Sequence, residues 1–466
     1  MTHQDNSKSR QTNPTISIQK LRNQVKGSVI APDDPGYDEA RTVVSGGIDR
    51  RPAVIIRAAD ANDVSYAVSL ARETGLDLAV KGGGHSPVGH GVCEGGIMLD
   101  MSGMKALDID TQARTAWAEA GLTAGEYTTA AAAHGLATGF GDTASVGIGG
   151  LTLGGGVGFL ARKYGLTIDD LLAADIVTAD GELLRVDAER HPDLFWAIRG
   201  GGGNFGVVTR FQYRLHEVGM VVGGMMILPA TPDVITSFID AAQDAPEELT
   251  AIVNIMKAPP MPFLPAEIHG KLVLLASLCH VGDIEAGQRA IAPFRALATP
   301  IVDMLGPIPY PRIYQPEQEG FHPITLTYSM FVDSVDRRMA ETILEHLQAS
   351  TAMMAAMQFR VLGGAVARVP VEATAYAHRQ SRIMANAAAI YMRPDETATH
   401  KAWIARFGEA LGRGDGSVYV NFLGDDGEER VRSAYPGATW DRLREIKARY
   451  DPTNLFRLNQ NIQPGK

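Results

Sequence analysis

Lys81-Gly82-Gly83-Gly84-His85-Ser86-Pro87-Val88-Gly89 is the stretch on which the reading of this chain turns. Three glycines in a row let the backbone take positive φ and approach a ligand closely. The histidine that follows them carries an accessible imidazole, useful as hydrogen-bond donor, metal ligand or nucleophile. Asp77 to Val80 reads as a strand, so the loop leaves a strand end. Three further clusters follow: Val146-Gly147-Ile148-Gly149-Gly150, then Leu153-Gly154-Gly155-Gly156-Val157-Gly158, then Arg199-Gly200-Gly201-Gly202-Gly203-Asn204-Phe205-Gly206. Any one of them reads equally well as a tight turn. Together they describe successive backbone N–H groups gathered round one concavity, which suits a pyrophosphate.

Gly201-x-Gly203-x-x-Gly206 matches the dinucleotide-binding spacing, but that motif needs a strand before it and a helix after it. Here a helical stretch, Pro192 to Ile198, precedes and a strand pattern from Val207 follows, so a nicotinamide-type Rossmann domain is disfavoured. No histidine or carboxylate accompanies His85 at metal-ligand spacing, and His90 falls among turn residues and reads as structural.

The chain has 466 residues and a formal charge of -10, which argues against nucleic acid as a partner because phosphate backbones select cationic faces. Cys93 and Cys279 are too distant in sequence to indicate a disulfide framework or zinc site. The N-terminal residues lack the apolar core of a signal peptide, and no run is long enough to span a membrane. A cytoplasmic location is the expectation.

The coarse pattern is α+β. Residues 1–20 read as a polar, disordered lead. Strands are expected at 54–57, 97–100, 114–120 and 207–215, with a helix capped by Asn62 or Asp63 and stopped at Gly75. Thr123 with Glu126 forms a capping-box signature, closed by Gly135, and Asp180-Gly181 joins two β-runs as a hairpin. From 219 to 410 the glycine clusters thin out. Expected strands at 325–332 and 359–369 and helices at 336–347 and 400–411 make a second unit, a sheet partly covered by helices. From about Val418 the text becomes motif-like again, so the chain returns to the first unit, giving a division into 21–218, 219–410 and 411–466.

With the glycine clusters, Arg162-Lys163-Tyr164-Gly165, Tyr419-Val420-Asn421-Phe422 and the run from Ile446 to Ile462 on the page, the chain resembles the FAD-linked oxidases of the vanillyl-alcohol-oxidase type, in their berberine-bridge-enzyme-like branch. The resemblance implies a two-part FAD-binding domain plus an α+β substrate domain. It implies that Gly82, Gly83, Gly84, Ser86, Gly89, Val146, Gly147, Gly149, Gly150, Gly154 and Gly155 hold FAD, with Val208 near the adenine and Tyr419, Asn421 and Asn459 near the flavin ring. It also implies a covalent bond from His85 to the flavin C8 methyl.

Two positions depart from the family pattern. Thr143 stands where many relatives carry a second, cysteine tether; a hydroxyl is a poor nucleophile for that bond, so attachment through His85 only is expected. Phe422 stands where alcohol-oxidising relatives often have a tyrosine base, leaving Tyr419, Tyr376 or Tyr391 as candidates for that role, or an amine substrate that needs no base. Arg368, Tyr376 and Arg379 read either as ligand-facing or as partners of surface carboxylates. The resulting expectation is an oxidase passing hydride from a small-molecule substrate to FAD and electrons to dioxygen. A flavin-dependent oxygenase or ring-rearranging enzyme and a non-catalytic flavin-binding protein remain as alternatives.

Overall fold

The structure, a computed structural model, describes residues 16–315, 320–412 and 416–465. A four-stranded sheet opens the fold: β1 (Ser28–Ile30), β2 (Val54–Arg57), β3 (Leu78–Lys81) and β4 (Ile97–Asp100), ordered β1-β2-β4-β3 with β4 parallel to both β2 and β3. The helix Ala61–Thr74 makes the crossover that parallel pairing requires. The central strands β2 and β4 are buried runs rich in Val, Ile and Leu, with only Arg57 at the end of β2 partly exposed, as expected of a sheet covered on both faces. Lys81 ends β3, so the Gly82–His85 loop springs from the carboxyl end of a parallel strand.

A second, antiparallel sheet follows: β5 (Leu107–Asp110), β6 (Thr115–Glu119), β8 (Leu171–Val177), β9 (Leu183–Asp187) and β10 (Val207–Arg214), ordered β5-β6-β10-β8-β9. Short β7 (Leu136–Ala137) pairs separately with β11 (His216–Glu217). The hairpin at Asp180-Gly181 and the capping box at Thr123 and Glu126 form as the sequence indicates. Pro192–Ile198 is helical and β10 follows the Gly201–Gly206 cluster, the reverse of the Rossmann order.

The third sheet has eight antiparallel strands: β12 (Met220–Pro229), β13 (Leu249–Lys257), β14 (Leu272–His280), β15 (Val302–Asp303), β16 (Gly306–Pro309), β17 (Ile324–Val332), β18 (Met354–Val361) and β19 (Ile383–Tyr391). Strand alternation sorts its side chains. Leu249, Val253, Ile255, Met357, Phe359, Ala385 and Ala387 pack with the helices Pro232–Asp244, Ile284–Arg295, Arg337–Ala349 and Thr397–Leu411 in one core. The opposite face looks toward the first two sheets. Val418, Leu455, Phe456 and Ile462 join the core of those two sheets, so the C-terminal segment does return to them.

Three local expectations are corrected. The cap of the helix at residue 61 is Asp60, whose carboxylate accepts from Asn62 and Asp63 N–H; Asp63 is engaged instead with the N–H groups of Lys26, Gly27 and Ala59. The strand expected at 359–369 ends at Val361, because Gly363 and Gly364 turn the chain at positive φ into the short helix Ala365–Arg368. The expected disorder over residues 1–20 does not reach its end: Ser17 caps a helix, Ile18–Gln24, that buries Leu21. Residues 1–15 lie outside the described residues. Among the described residues no helix is long and apolar enough to cross a membrane.

Candidate active site

One cavity of about 550 Å³ lies between the first two sheets, the C-terminal segment and the inner face of the eight-stranded sheet. Of the residues singled out from the sequence, Gly82, Gly83, Gly84, His85, Ser86, Thr143, Val146, Gly147, Gly149, Gly150, Val208, Tyr419, Asn421 and Asn459 all line it. The two leading glycine loops meet backbone to backbone: a Cβ on Gly83 would lie 2.3 Å from Gly147 N, and one on Gly147 would lie 2.3 Å from Gly83 N. Real side chains cannot occupy such space, so glycine is required at both positions for steric reasons. Cβ atoms on Gly150 or Gly203 would meet nothing within 4 Å.

His85 is half-buried at the end of its loop, with Nε2 2.7 Å from Ser145 Oγ. That contact fixes the ring from the side of the second glycine loop. Thr143 Oγ1 donates to the Asp142 carboxylate at 3.4 Å. Asp142 also accepts from Arg360 at 2.6 Å, and the Arg360 guanidinium lies 4.7 Å over the Phe422 ring. Arg360 is buried on β18, so this ion pair joins the eight-stranded sheet to the loop holding Thr143.

Tyr419 Oη accepts from Gly156 N–H at 3.0 Å and from Asn421 Nδ2 at 3.0 Å. Burial raises its phenol pKa, with the Gly156 and Asn421 bonds opposing the shift. Asn421 also donates to Leu151 O at 3.2 Å. Asn459 donates to Gly203 O and Phe456 O, pinning the C-terminal segment against the fourth glycine cluster.

Seven sequence candidates fall elsewhere. Gly89 is off the cavity wall, in a turn at φ +69° against Ile48, with its carbonyl accepting from Arg50. Gly154 and Gly155 lie behind the wall, where a Cβ would strike the Asn421 side chain at 2.1 Å or crowd the Tyr376 and Tyr419 rings at 3.2 and 3.3 Å. Their absent side chains seat the residues that do face the cavity. Tyr391 is the clearest correction. It shares strand parity with Ala385, Ala387 and Ala389 and so points to the helices, where its hydroxyl donates to Thr397. Tyr376 is buried behind Tyr419, its ring centroid 6.1 Å away, and is also absent from the cavity wall. Arg368 pairs with exposed Glu247, whereas Arg379 is fully buried and grips Asp169 with two bonds at 2.7 and 2.8 Å.

The cavity also contains residues the sequence did not single out: Asp142, Thr327, Gln358, Arg360 and Asn386, and His90, which had read as structural. Burial pushes the His90 pKa down to about 4. Its unfolded value near 6.5 is higher, so the unfolded chain takes up a proton that the folded one refuses. Stability linked to His90 is therefore complete above pH 6.5 and lost as pH falls toward 4, with a slope of at most about 1.4 kcal/mol per pH unit. A His90→Gln protein should show a flatter decline of thermal midpoint over that window; an unchanged decline would remove His90 as its source.

The comparisons agree with this geometry. A model described as "FAD binding domain" matches residues 52–187, and one described as "Berberine and berberine like" matches 418–463. These segments supply most of the glycine-loop and C-terminal walls of the cavity, and they define an FAD-dependent oxidoreductase. The chain belongs to the berberine-bridge-enzyme-like family of FAD-linked oxidoreductases. It is 30% identical over 459 residues to (R)-6-hydroxynicotine oxidase of Paenarthrobacter nicotinovorans, covering 94% of this chain and 97% of that protein. It is 29% identical to an uncharacterised FAD-linked oxidoreductase of Bacillus subtilis, covering 95% and 98%. The crystal structure of 6-hydroxy-D-nicotine oxidase from Arthrobacter nicotinovorans superposes with a TM-score of 0.85 at 28% identity, covering 95% of this chain and 98% of that one.

Proposed function

We propose that this protein is an oxidase that removes a hydride from a small organic molecule, an amine or phenol-like compound in preference to a sugar, with dioxygen as the final acceptor. The observation that carries the reading is the position of His85. A nucleophilic imidazole ends a glycine loop on the wall of a cavity whose opposite wall is a polar sheet face.

The residues present fit FAD. Gly82, Gly83, Gly84, Gly147, Gly149 and Gly150 line the cavity, Gly83 and Gly147 let the two loops close on each other, and a Cβ on Gly150 would project into open space, so backbone N–H groups rather than side chains can face a pyrophosphate. Val208 would border the adenine, and Tyr419, Asn421 and Asn459 the flavin ring. His85 would hold the flavin covalently through its C8 methyl, as the single tether. Residues 219–410 would act as the substrate domain. FAD bound there supplies a two-electron acceptor for substrate hydride and a route for those electrons to dioxygen, yielding hydrogen peroxide.

The chain's own groups narrow the substrate. Phe422 carries no proton-transfer group. Burial raises the Tyr419 phenol pKa, and Gly156 N–H and Asn421 Nδ2 take up both acceptor positions of its hydroxyl oxygen, which leaves it placed to donate rather than to accept a substrate proton. Asp142 is held by Arg360 and Thr143. An amine, whose lone pair assists departure of the neighbouring hydride, suits such a site. The activity named for the Paenarthrobacter relative, oxidation of (R)-6-hydroxynicotine, supports the same reading.

An anaerobic screen of amines, phenols and alcohols, followed by flavin absorbance, tests it. Bleaching by an amine or phenol, then one peroxide per substrate on admitting air, is the expected result. Bleaching by simple sugars alone would refute the substrate preference. Oxygen incorporated into product without peroxide would point to the oxygenase alternative.

A further inference from the structure

We propose that Asn386 anchors the substrate, taking a neutral group that carries a hydrogen-bond donor beside an acceptor, such as a lactam, amide or phenol. This rests on the FAD-dependent reading above and names the substrate chemistry of that same cavity.

The argument begins with strand register. On the cavity face of the eight-stranded sheet, Ser329 of β17 lies opposite Asn386 of β19, Asn386 opposite Gln358 of β18, and Gln358 opposite Asn254 of β13. A row of four uncharged polar side chains thus crosses four strands. Along β19 itself the same face presents Met384, Ala388 and Ile390, so Asn386 is the polar member of an otherwise apolar stretch.

The row is satisfied at one end and unsatisfied at the other. Arg360 donates to Gln358 Oε1 and to Asp142, and Gln358 Nε2 donates to Asn254 Oδ1 at 3.1 Å. Asn386 Oδ1 and Ser329 Oγ are buried with no hydrogen-bond partner among the described residues. A buried carboxamide oxygen without a partner opposes folding, and such groups are retained where something else completes them. Asn386 lines the cavity, so a bound molecule can do so.

The chemistry of that molecule follows. A carboxamide both donates and accepts, and its complement is a group that does the same side by side. No member of the row ionises, and the adjacent Arg360 and Asp142 neutralise each other at 2.6 Å. A carboxylate or ammonium placed on Asn386 would lose its water without gaining a counter-charge.

The test uses the flavin-loaded protein and watches the oxidised flavin spectrum during titration. The probes are 2-pyridone, a flat lactam, and benzoate, an anion of similar size. In the unaltered protein 2-pyridone should perturb the spectrum saturably and benzoate at least tenfold more weakly. In Asn386→Leu the 2-pyridone Kd should rise about tenfold, the effect of one lost hydrogen bond, with flavin content unchanged. In Asn386→Asp, benzylammonium should gain affinity at the expense of 2-pyridone. The proposal is overturned if loaded unaltered protein ignores 2-pyridone, if Asn386→Leu binds it equally well, or if benzoate competes on equal terms. A preparation that carries no flavin fails the cofactor reading instead, and is seen before any titration begins.

Discussion

Acid-precipitated His85→Ala protein should be colourless, while the unaltered chain keeps yellow flavin in the pellet. The loop Gly82–Gly84 carries His85 to the cavity wall, and Ser145 holds the ring by Nε2. Few other side chains on that wall can form a carbon–nitrogen or carbon–oxygen bond. His90 is the other imidazole on the same wall, and Lys81 Nζ is turned away to donate to Ala40 O at 2.9 Å. Thr143 is an aliphatic hydroxyl, a poor nucleophile for this bond, and the Asp142 carboxylate it donates to is itself paired with Arg360. Thr143→Ala should therefore retain full flavin after denaturation. Thr143→Cys should add a thiol at the position of the second tether in related enzymes, so that His85→Ala combined with Thr143→Cys recovers covalent flavin. Peptide mapping of the flavin-bearing fragment distinguishes these cases. Flavin bound covalently in His85→Ala alone would refute the assignment.

The sequence was most legible where a backbone conformation demands a residue type. The glycine loops, the Thr123–Glu126 capping box, the Asp180-Gly181 hairpin and the stop at Gly75 all depend on local steric or capping rules, and all appear in the structure. The cavity roof was not legible. Thr327, Gln358 and Asn386 are uncharged polar residues in mostly apolar strands, and nothing local separates a residue facing a ligand from one facing solvent. Their significance comes from register across β13, β18, β19 and β17, which pairs residues distant in sequence. Tyr391 failed for the related reason that a tyrosine near the right segment has the wrong parity, and period two sends it to the helices. His90 lies on the cavity wall, a placement its turn context did not disclose.

The C-terminal run from Ile446 to Ile462 was recognisable as a motif, but its role is visible only in the fold, and it yields the largest expected loss of stability. Lys447 and Asp451 are fully buried one helical turn apart. Lys447 Nζ donates to Asp451 Oδ2 at 2.7 Å, Asn204 O at 2.8 Å and Phe456 O at 2.9 Å, which uses all three of its protons. Asp451 in turn accepts from the N–H groups of Leu455 and Phe456. Asn204 and Phe456 both face the cavity, so this pair binds the fourth glycine cluster to the returning tail immediately behind the wall. Lys447→Met keeps the bulk but strands a buried carboxylate and two carbonyls, at a cost of about 3–5 kcal/mol. Its thermal midpoint should fall by several degrees, and the tail should release Asn459 from Gly203, loosening the cofactor end of the cavity. Arg449, two residues on along the same helix, makes an ion pair near the surface with Asp193 of the helix Pro192–Ile198. Arg449→Met should cost less than about 1 kcal/mol. Equal midpoints for the two variants would show that the buried lysine is not what fastens the tail to the glycine cluster.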